Sequence, residues 1–415
     1  MDSVELVAQL ALRARVATRS LKVASASERR SALLAIADEI ASRNTEILEA
    51  NAIDMASDAG SDRLLLTEER VNAIVDGVRQ VANLGDPLGV TLRESTLPNG
   101  LHLKQVTVPF GVVGMIYEAR PNVTVDAAAI LLMSGNAALL RGSSSAAQSN
   151  AKLVSIMREA LSRTKISQDV IQLVPSDDRE NVRALLNARG KVDLVIPRGS
   201  AALIRMVVDE AKVPTIETGA GVCHVYVDEF ADLEKALQIV VNSKVQRPSV
   251  CNAAETLLVH RSVANEFIPH ALSALAKSGV IFHVDQRTQE IARSTDIPVD
   301  LAESSNWSTE YGALEINVGV VDSLEAAIEH IGTYGTNHTE AIVTQSQEQA
   351  DRFIALSDCA AVMVNASTRF TDGEQMGFGA EIGISNQKLH ARGPMGLEAM
   401  VTTTWIVTGT GQIRQ

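Results

Sequence analysis

From about residue 106 onward, short and nearly uninterrupted aliphatic runs alternate with stretches of helical periodicity. A strand that is apolar on both faces must be covered on both sides, and helices between successive strands provide that cover. The pattern therefore predicts an α/β chain with mainly parallel sheets. The predicted strands lie at 112–116, 137–140, 171–174, 192–196, 225–227, 256–259, 280–284, 341–343 and 361–364.

Length and charge narrow the class of protein. A chain of 415 residues is too long for one ordinary hydrophobic core, which predicts two or three domains. It carries 37 basic and 50 acidic residues, a net charge of −13. This acidity argues against a nucleic-acid binder, whose affinity depends on neutralising phosphates. An anionic ligand must then be bound by local arginines and backbone N–H groups.

The beginning of the chain predicts an amphipathic helix and not a targeting segment. Acidic residues stand where a signal peptide is basic, and Arg13 and Arg15 interrupt the apolar positions. The most apolar stretch, 123–140, contains Asp126 and Asn136 and is too polar for a membrane span. We expect a cytoplasmic protein.

Two segments do not fit the alternating pattern. Residues 93–107 carry Pro98-Asn99-Gly100 between flanks of alternating polarity, which predicts a β-hairpin. The tail at 400–409 is rich in strand-forming residues. A hairpin and a strand that project from the body often pair across subunits, which favours a homo-oligomer. The alternative is that the tail is an edge strand of the main sheet.

One of the three cysteines stands out as a candidate nucleophile. Cys223, Cys251 and Cys359 are odd in number and far apart, which argues against a disulfide framework and for a reducing compartment. Cys251 follows a helix that Pro248 ends and precedes a strand, so it lies on a loop that can present it to a ligand. The thiolate is the reactive form, and a cation such as Arg247 lowers a thiol's pKa. The alternative is a small buried hydrophobe, which is our interpretation of Cys223 and Cys359.

Metal ligation is not indicated. Neither Cys-x-x-Cys nor His-Glu-x-x-His occurs, and the eight histidines are scattered along the chain. We therefore predict no metal site.

Several segments together resemble the aldehyde dehydrogenase superfamily. Residues 108–114 followed by Arg120-Pro121-Asn122 are similar to the strand and Pro-rich turn that lead to that family's oxyanion-hole asparagine, here Asn122. Glu217-Thr218-Gly219-Ala220 is similar to its Glu-Leu-Gly-Gly block, and Cys251 follows 34 residues after Glu217. Glu315 resembles the glutamate that contacts the nicotinamide ribose. Longer strings, among them YEARPNVTVDAAAILLMSGNAALLRG and RPSVCNAAETLLVH, resemble the gamma-glutamyl phosphate reductases, from about residue 5 to the carboxyl terminus.

The resemblance implies an aldehyde dehydrogenase-like α/β fold with two parallel-sheet α/β domains and a small β oligomerisation extension. Residues 1–222 would form the cofactor-binding domain, with the 93–107 hairpin as part of the extension. Residues 223–384 would form the catalytic domain that carries the nucleophilic cysteine. Residues 385–415 would return to the cofactor domain and supply the C-terminal oligomerisation strand.

The resemblance also implies a reaction, the NADPH-dependent reduction of L-glutamyl 5-phosphate to L-glutamate 5-semialdehyde with release of phosphate, a step of proline biosynthesis. Cys251 would carry the acyl group as a thioester, and the Asn122 amide would stabilise the oxyanion. Ordinary aldehyde dehydrogenases use the glutamate that matches Glu217 to activate water. A reductase that starts from an acyl phosphate needs no attacking water, so Glu217 would help to hold the site.

The resemblance also implies which residues bind the cofactor and the substrate. The resemblance places the adenosine ribose of NADP(H) at the turn formed by Arg141, Gly142 and Ser143, and the alternative is an ordinary strand-to-helix turn with serine caps. Arg198, Gly199 and Ser200 open a later helix, and the N-terminus of that helix suits a pyrophosphate. The candidates for binding the substrate's anionic and ammonium groups are Arg120, Asn365, Ser367, Arg369 and Arg392.

Two rival functions stay open. An oxidising or CoA-acylating enzyme of the same superfamily, acting on a different small aldehyde, would use the same cysteine with another acyl acceptor. A structural or regulatory protein that has lost catalysis is disfavoured because Cys251 and Asn122 both stand in their expected contexts. Functional coupling to glutamate 5-kinase is a further implication. The oligomeric state and the preference for NADPH over NADH are not determined by the sequence.

Overall fold

The structure is a computed structural model that describes residues 2–57 and 62–414. Its helices are α1 Ser3–Val23, α2 Ala26–Ser42, α3 Asn44–Ser57, α4 Glu68–Asn83, α5 Pro121–Met133, α6 Ala147–Ser162, α7 Glu180–Leu186, α8 Ala201–Glu210, α9 Leu233–Val245, α10 Arg261–Ala276, α11 Gln286–Ala292, α12 Leu324–Tyr334 and α13 Gln347–Leu356. Its strands are β1 Thr91–Thr96, β2 His102–Pro109, β3 Val112–Tyr117, β4 Ala137–Arg141, β5 Ile171–Leu173, β6 Leu194–Arg198, β7 Cys223–Val227, β8 Ala254–His260, β9 Ile281–Val284, β10 Asp300–Leu301, β11 Glu315–Val321, β12 Thr339–Val343, β13 Ala361–Val364, β14 Ile384–Ser385, β15 Gly393–Pro394 and β16 Val401–Thr408.

The chain forms two compact units. The first consists of Met1–Thr218, Gly377–Gly383 and Met395–Gln415. The second consists of Gly219–Met376 and Ile384–Pro394. Each unit contains its own parallel sheet, which confirms the predicted α/β class.

The sheet of the first unit has the strand order β5-β4-β3-β6, and every neighbouring pair is parallel. All six residues of β3 are buried, as a strand covered on both faces requires. The chain runs from β3 through β4 to β5 on one side and then crosses to β6 on the other. The order therefore reverses between β3 and β6, and ligands of open α/β sheets bind outside the carboxyl ends of the strands at such a point.

A separate antiparallel sheet belongs to the same unit and has the order β1-β2-β16. The hairpin of β1 and β2 is confirmed. β16 pairs with β2 from Val401 opposite Pro109 to Thr408 opposite His102. The alternative of an edge strand on the main sheet is therefore wrong, because the backbone groups of the tail are bonded to the hairpin.

The sheet of the second unit is parallel throughout, in the order β10-β9-β11-β8-β7-β12-β13. Val225 and Leu257 face a core that α9, α10 and α11 cover, whereas Tyr226 and Leu258 face a core that α12 and α13 cover. Adjacent residues of a strand point to opposite faces, so this alternation explains why both strands are apolar without interruption.

One central strand was missing from the sequence prediction. β11 lies between β8 and β9 in the middle of the second sheet. Its aliphatic run is interrupted by Asn317 and Gly319. The Asn317 amide is fully buried and donates to Thr256 Oγ1 at 3.1 Å, and the ring of Trp307 packs where a side chain at position 319 would lie. Tertiary contacts thus stabilise residues that are unusual in a buried strand.

None of the helices in the described part of the chain combines the length and the apolar character that a bilayer span requires.

Candidate active site

Cys251 lies on the loop of residues 246–253, which connects α9 to β8 and is called the Cys251 loop below. Its side chain is partly exposed, whereas Cys223 and Cys359 are buried, and no disulfide joins any of these three described cysteines. Because the loop leads into β8, it lies at the amino edge of the second unit's sheet. Loops on such scaffolds can hold a reactive side chain in a fixed position.

The segment that leads into β7 packs directly against the backbone of Cys251. A Cβ atom at Gly221 would lie 2.5 Å from the carbonyl carbon of Cys251 and 3.0 Å from its Cα. The thiol of Cys223 donates to the same carbonyl oxygen at 3.2 Å. Burial raises the pKa of Cys223 well above its ordinary value, so this cysteine remains a protonated donor. Gly221 and Cys223 together hold the Cys251 carbonyl in place.

Glu315 lies at the same edge of the sheet as the Cys251 loop. It begins β11, two residues before Asn317, which pairs with Thr256 of β8. The Glu315 carboxylate lies 3.1 Å from Nε2 of His283, and the His283 ring stacks on Tyr311 with centroids 5.2 Å apart. Histidine and stacked tyrosine thus fix the direction of the carboxylate that was predicted to contact the nicotinamide ribose.

A buried ion pair connects the two ends of the Cys251 loop. Lys244 Nζ lies 2.6 Å from Glu255 Oε2, and both side chains are fully buried. Burial raises the pKa of Glu255 to about 7 and lowers that of Lys244. The sequence prediction missed this pair. The sequence did contain a signal that the Lys244 side chain is buried, because Lys244 continues the four-residue spacing of the buried Ala236 and Val240 on α9.

Arg369 contacts the Cys251 loop, and the other predicted substrate residues of this unit do not take part in that contact. The side chain of Asn365 is bonded at 2.9 Å to both the N–H and the carbonyl of Thr344, at the carboxyl end of β13. The hydroxyl of Ser367 lies 3.0 Å from a serine hydroxyl of α9. Arg392 forms an ion pair of 3.0 Å with Asp358. Asn365, Ser367 and Arg392 therefore have clear local structural roles.

In the first unit, Asn122 lies in the first turn of α5, directly after the carboxyl end of β3. Its amide nitrogen donates to Asp126 Oδ2 at 3.0 Å, one helical turn further on. An amide nitrogen carries two N–H groups, so this bond fixes the amide and leaves a second donor for another direction. Burial raises the pKa of Asp126, while Arg198 and Asn122 oppose that rise. Asp126 is a functional candidate that sequence reasoning missed.

The turn after β4 lies next to β3 at the same carboxyl edge. Arg141 donates to the carbonyl of Gly142 at 3.1 Å, while its buried Nε has no hydrogen-bond partner among the described residues. Burial, and then the nearby Arg179, lower the pKa of Arg141, so two guanidinium groups share this edge. Ser143 caps the following 3₁₀ turn through Ser145 N–H at 3.3 Å, as the alternative interpretation of this turn expected.

The turn after β6 completes this edge. Ser200 caps α8, and its own backbone N–H donates to Glu118 at 2.9 Å. The Glu118 side chain also lies 2.6 Å from where a Cβ at Gly199 would stand. A carboxylate therefore already lies at the N-terminus where a pyrophosphate was predicted. Arg198 donates to the carbonyl of Ile382 at 2.8 Å.

Two predicted residues flank these turns. Arg120 is the residue before α5, with Pro121 in the first turn of that helix. Glu217 follows Ile216, whose N–H donates to the carbonyl of Val195 in β6 at 3.1 Å. The structure therefore gathers Arg120, Asn122 and the turns after β4 and β6 at one carboxyl edge, with Glu217 on a segment that runs along β6.

No group of three or more His, Cys, Asp or Glu side chains suited to a metal ion occurs within residues 2–57 and 62–414.

The sequence matches the model of the aldehyde dehydrogenase family over residues 2–290. The chain belongs to this family. The predicted membership of that family, and the aldehyde dehydrogenase-like fold that it implied, are thus confirmed.

Relatives within the family cover almost the whole chain. The gamma-glutamyl phosphate reductase of Thermobifida fusca is 55% identical over 415 residues, which cover 98% of each chain. The enzyme of the same name from Kineococcus radiotolerans is 51% identical, over 99% of this chain and 96% of its own. The crystal structure of the gamma-glutamyl phosphate reductase of Thermotoga maritima has a TM-score of 0.95 at 43% identity, with both chains fully covered.

Proposed function

We propose that the chain reduces L-glutamyl 5-phosphate to L-glutamate 5-semialdehyde with release of phosphate, as a step of proline biosynthesis. The observation that carries the proposal is the 55% identity, over nearly the full length of both chains, to a protein named gamma-glutamyl phosphate reductase. The partly exposed Cys251 on a braced loop supplies the nucleophile that such a reaction needs.

Cys251 would act as a thiolate whose sulfur attacks the acyl carbon of the substrate. A C–S bond forms, the C–O bond to phosphate breaks, and phosphate leaves with the electron pair. The amide of Asn122 and the backbone N–H of Cys251 would donate to the oxyanion of this step, and one such donor contributes about 100- to 1000-fold in rate. Asp126 would keep the Asn122 amide in one orientation.

The residues at the carboxyl edge of the first unit's sheet fit a phosphate-bearing nucleotide. The buried Nε of Arg141 has no acceptor among the described residues, and Arg179 adds a second cation. We infer that Arg141, Gly142 and Ser143 bind the adenosine ribose and its 2′-phosphate, which favours NADP(H). Arg198, Gly199 and Ser200 would bind the pyrophosphate once the Glu118 carboxylate moves aside, and Glu315 would bind the nicotinamide ribose. NADPH bound by these residues would supply the hydride that reduces the acyl group held on Cys251.

The protein's own side chains would carry out the remaining steps, which are the release of the product and the binding of the substrate. When the C–S bond breaks, Cys251 regains its thiolate and the semialdehyde leaves. Glu217 would hold the site and would not act as a base, because the reduction consumes no water. Arg120 and Arg369 would bind anionic groups of the substrate through paired N–H donors. Asn365, Ser367 and Arg392 stay weaker candidates, since their observed bonds must first be exchanged.

The antiparallel sheet of the first unit suggests that a second copy of the chain is a binding partner. β1 and β16 are its outer strands, and Trp405, Ile406 and Val407 are about half exposed. Exposed apolar groups on outer strands are typical of surfaces that another chain covers. We therefore infer a homo-oligomer in which this sheet contacts a second copy of the chain. Replacing Trp405 by lysine would then lower the mass measured by light scattering.

Acyl phosphates hydrolyse readily, so the substrate must come from a phosphorylating enzyme, and we propose functional coupling to glutamate 5-kinase. We propose the cytoplasm as the location, where thiols such as Cys251 stay reduced.

The test is the reverse reaction with purified protein. Glutamate 5-semialdehyde, NADP and inorganic phosphate should produce NADPH, and omission of phosphate should stop the reaction. The Cys251→Ser variant should lose turnover while nucleotide binding is retained, whereas Cys359→Ser should stay active. Equal rates without phosphate, or with coenzyme A in its place, would reject the proposal in favour of an oxidising or CoA-acylating enzyme.

A further inference from the structure

The side chain of Arg369 connects the two ends of the Cys251 loop. Its Nε donates to Oε1 of Gln246 at 2.8 Å, and its Nη1 donates to Oδ1 of Asn252. Gln246 lies five residues before Cys251 and Asn252 directly follows it. One planar guanidinium thus bridges the segment that carries the sulfur.

The base of this bridge is itself fixed. Arg369 lies in the 3₁₀ turn Thr368–Phe370, and the N–H of Thr368 donates to Ser243 Oγ of α9 at 3.3 Å. Asn252 is buried, and its amide nitrogen donates to the carbonyl of Thr371 at 2.8 Å. Bonds on both sides of the loop therefore restrict the guanidinium to one position.

We propose that Arg369 is a positioning residue that closes the Cys251 loop through Gln246 and Asn252 and holds a permanent positive charge beside the sulfur. The inference rests on the proposed function in taking Cys251 as the nucleophile. A guanidinium has five N–H donors, and these two bonds use two of them. The others suit the phosphate that leaves from the acyl carbon, because guanidinium donors match phosphate oxygens.

Arg369 and Cys223 are two groups that interact electrostatically with Cys251. Arg247 on the loop and Asp372 after the turn both act on Arg369, and Cys251 lies within the field of that arginine. Cys223 acts on Cys251 from β7 and stays protonated. The buried ion pair below the loop is neutral overall. The guanidinium of Arg369 is thus a permanent cation that interacts with Cys251, and a nearby cation favours the thiolate form of a cysteine.

The test is the pH dependence of the alkylation of Cys251 by iodoacetamide in the full-length protein. Mass spectrometry of the Cys251 peptide separates this reaction from alkylation of the two other cysteines. Arg369→Gln removes the charge and the bridge, and the thiol pKa should rise by about one unit. Arg369→Lys keeps the charge and should restore most of the pKa. Its kcat for semialdehyde oxidation should still stay low, because an ammonium group does not reproduce the planar fork.

Arg352→Gln is the matched control. Arg352 belongs to the same unit and forms an ion pair of 2.6 Å with Glu325. This variant should leave the alkylation profile unchanged. An unchanged profile in a folded Arg369→Gln protein, or an equal shift in Arg352→Gln, would overturn the inference.

If Arg369→Gln does not fold, the exposed Gln246 provides the decisive variant. Gln246→Ala removes only the outer arm of the bridge and should slow alkylation at neutral pH by about 3-fold. A rate equal to that of the native chain would refute the bridge. Failure of the proposed function is distinguishable, because a native chain without phosphate-dependent turnover still reports its thiol pKa through alkylation.

Discussion

Replacing Gly221 by alanine places a methyl group against the backbone of Cys251. The new Cβ would lie 2.5 Å from the carbonyl carbon of Cys251 and 3.0 Å from its Cα. Carbon atoms in contact are separated by about 3.5–4.0 Å, so one of the two segments must move by about 1 Å or more. Both are backbone, and neither can relieve the overlap by a change of rotamer.

The displacement acts on Cys251, the proposed nucleophile. A shift of about 1 Å in a reacting group lowers the rate by about 100-fold, which corresponds to about 2.7 kcal/mol of activation free energy. The bond between the Cys223 thiol and the Cys251 carbonyl would also be strained. We expect kcat/KM for phosphate-dependent semialdehyde oxidation to fall by about 100-fold or more.

The assay compares this variant with Gly332→Ala. Gly332 lies in α12 of the same unit, and an added Cβ there would meet no atom within 4 Å. That control should keep full activity and gain up to about 1 kcal/mol of stability. Circular dichroism and thermal unfolding would establish that Gly221→Ala is folded. A folded Gly221→Ala protein with native turnover and a native alkylation rate at Cys251 would refute the reasoning.

Three further changes test separate parts of the site. Lys244→Met leaves the Glu255 carboxyl buried without its cation and should lower the free energy of unfolding by about 3–5 kcal/mol. In the folded native chain the pKa of Glu255 is already raised to about 7 from 4.5, and in the variant it rises further. Because a carboxyl whose pKa is raised by folding loses stability as pH increases, the deficit in Tm relative to the native chain should be larger at about pH 8 than at about pH 5. A deficit that shrinks with rising pH would contradict this. Asp126→Leu removes the acceptor that orients the proposed oxyanion-hole amide and should lower kcat by about 10-fold with little change in KM, whereas Asp126→Asn should stay near the native rate in the same steady-state assay. Arg141→Ala and Arg179→Ala should each raise the KM for NADPH by about 10-fold or more and leave the KM for NADH unchanged. Equal losses with both nucleotides would exclude contacts to the 2′-phosphate.

Local patterns in the sequence determined the fold class and the position of the proposed nucleophile, Cys251. Uninterrupted aliphatic runs indicated strands covered on both faces, and all nine predicted strands overlap strands of the structure. Pro-Asn-Gly between alternating flanks indicated the hairpin. A predicted helix that ends before Pro248, and the predicted strand that follows, placed Cys251 on a loop. Each of these signals depends on neighbours in the chain, which is why the sequence is sufficient for them.

Tertiary structure decided which side chains meet. Arg369 reaches the Cys251 loop although it is separated from Asn252 by more than a hundred residues. Asn365 looked equally suitable from its loop, yet its amide is bonded to the backbone of Thr344. The requirement for glycine at position 221 likewise arises only where two segments cross. Contacts of this kind depend on strand order and helix packing, because the energy of a side chain is set by neighbours that are distant in the chain.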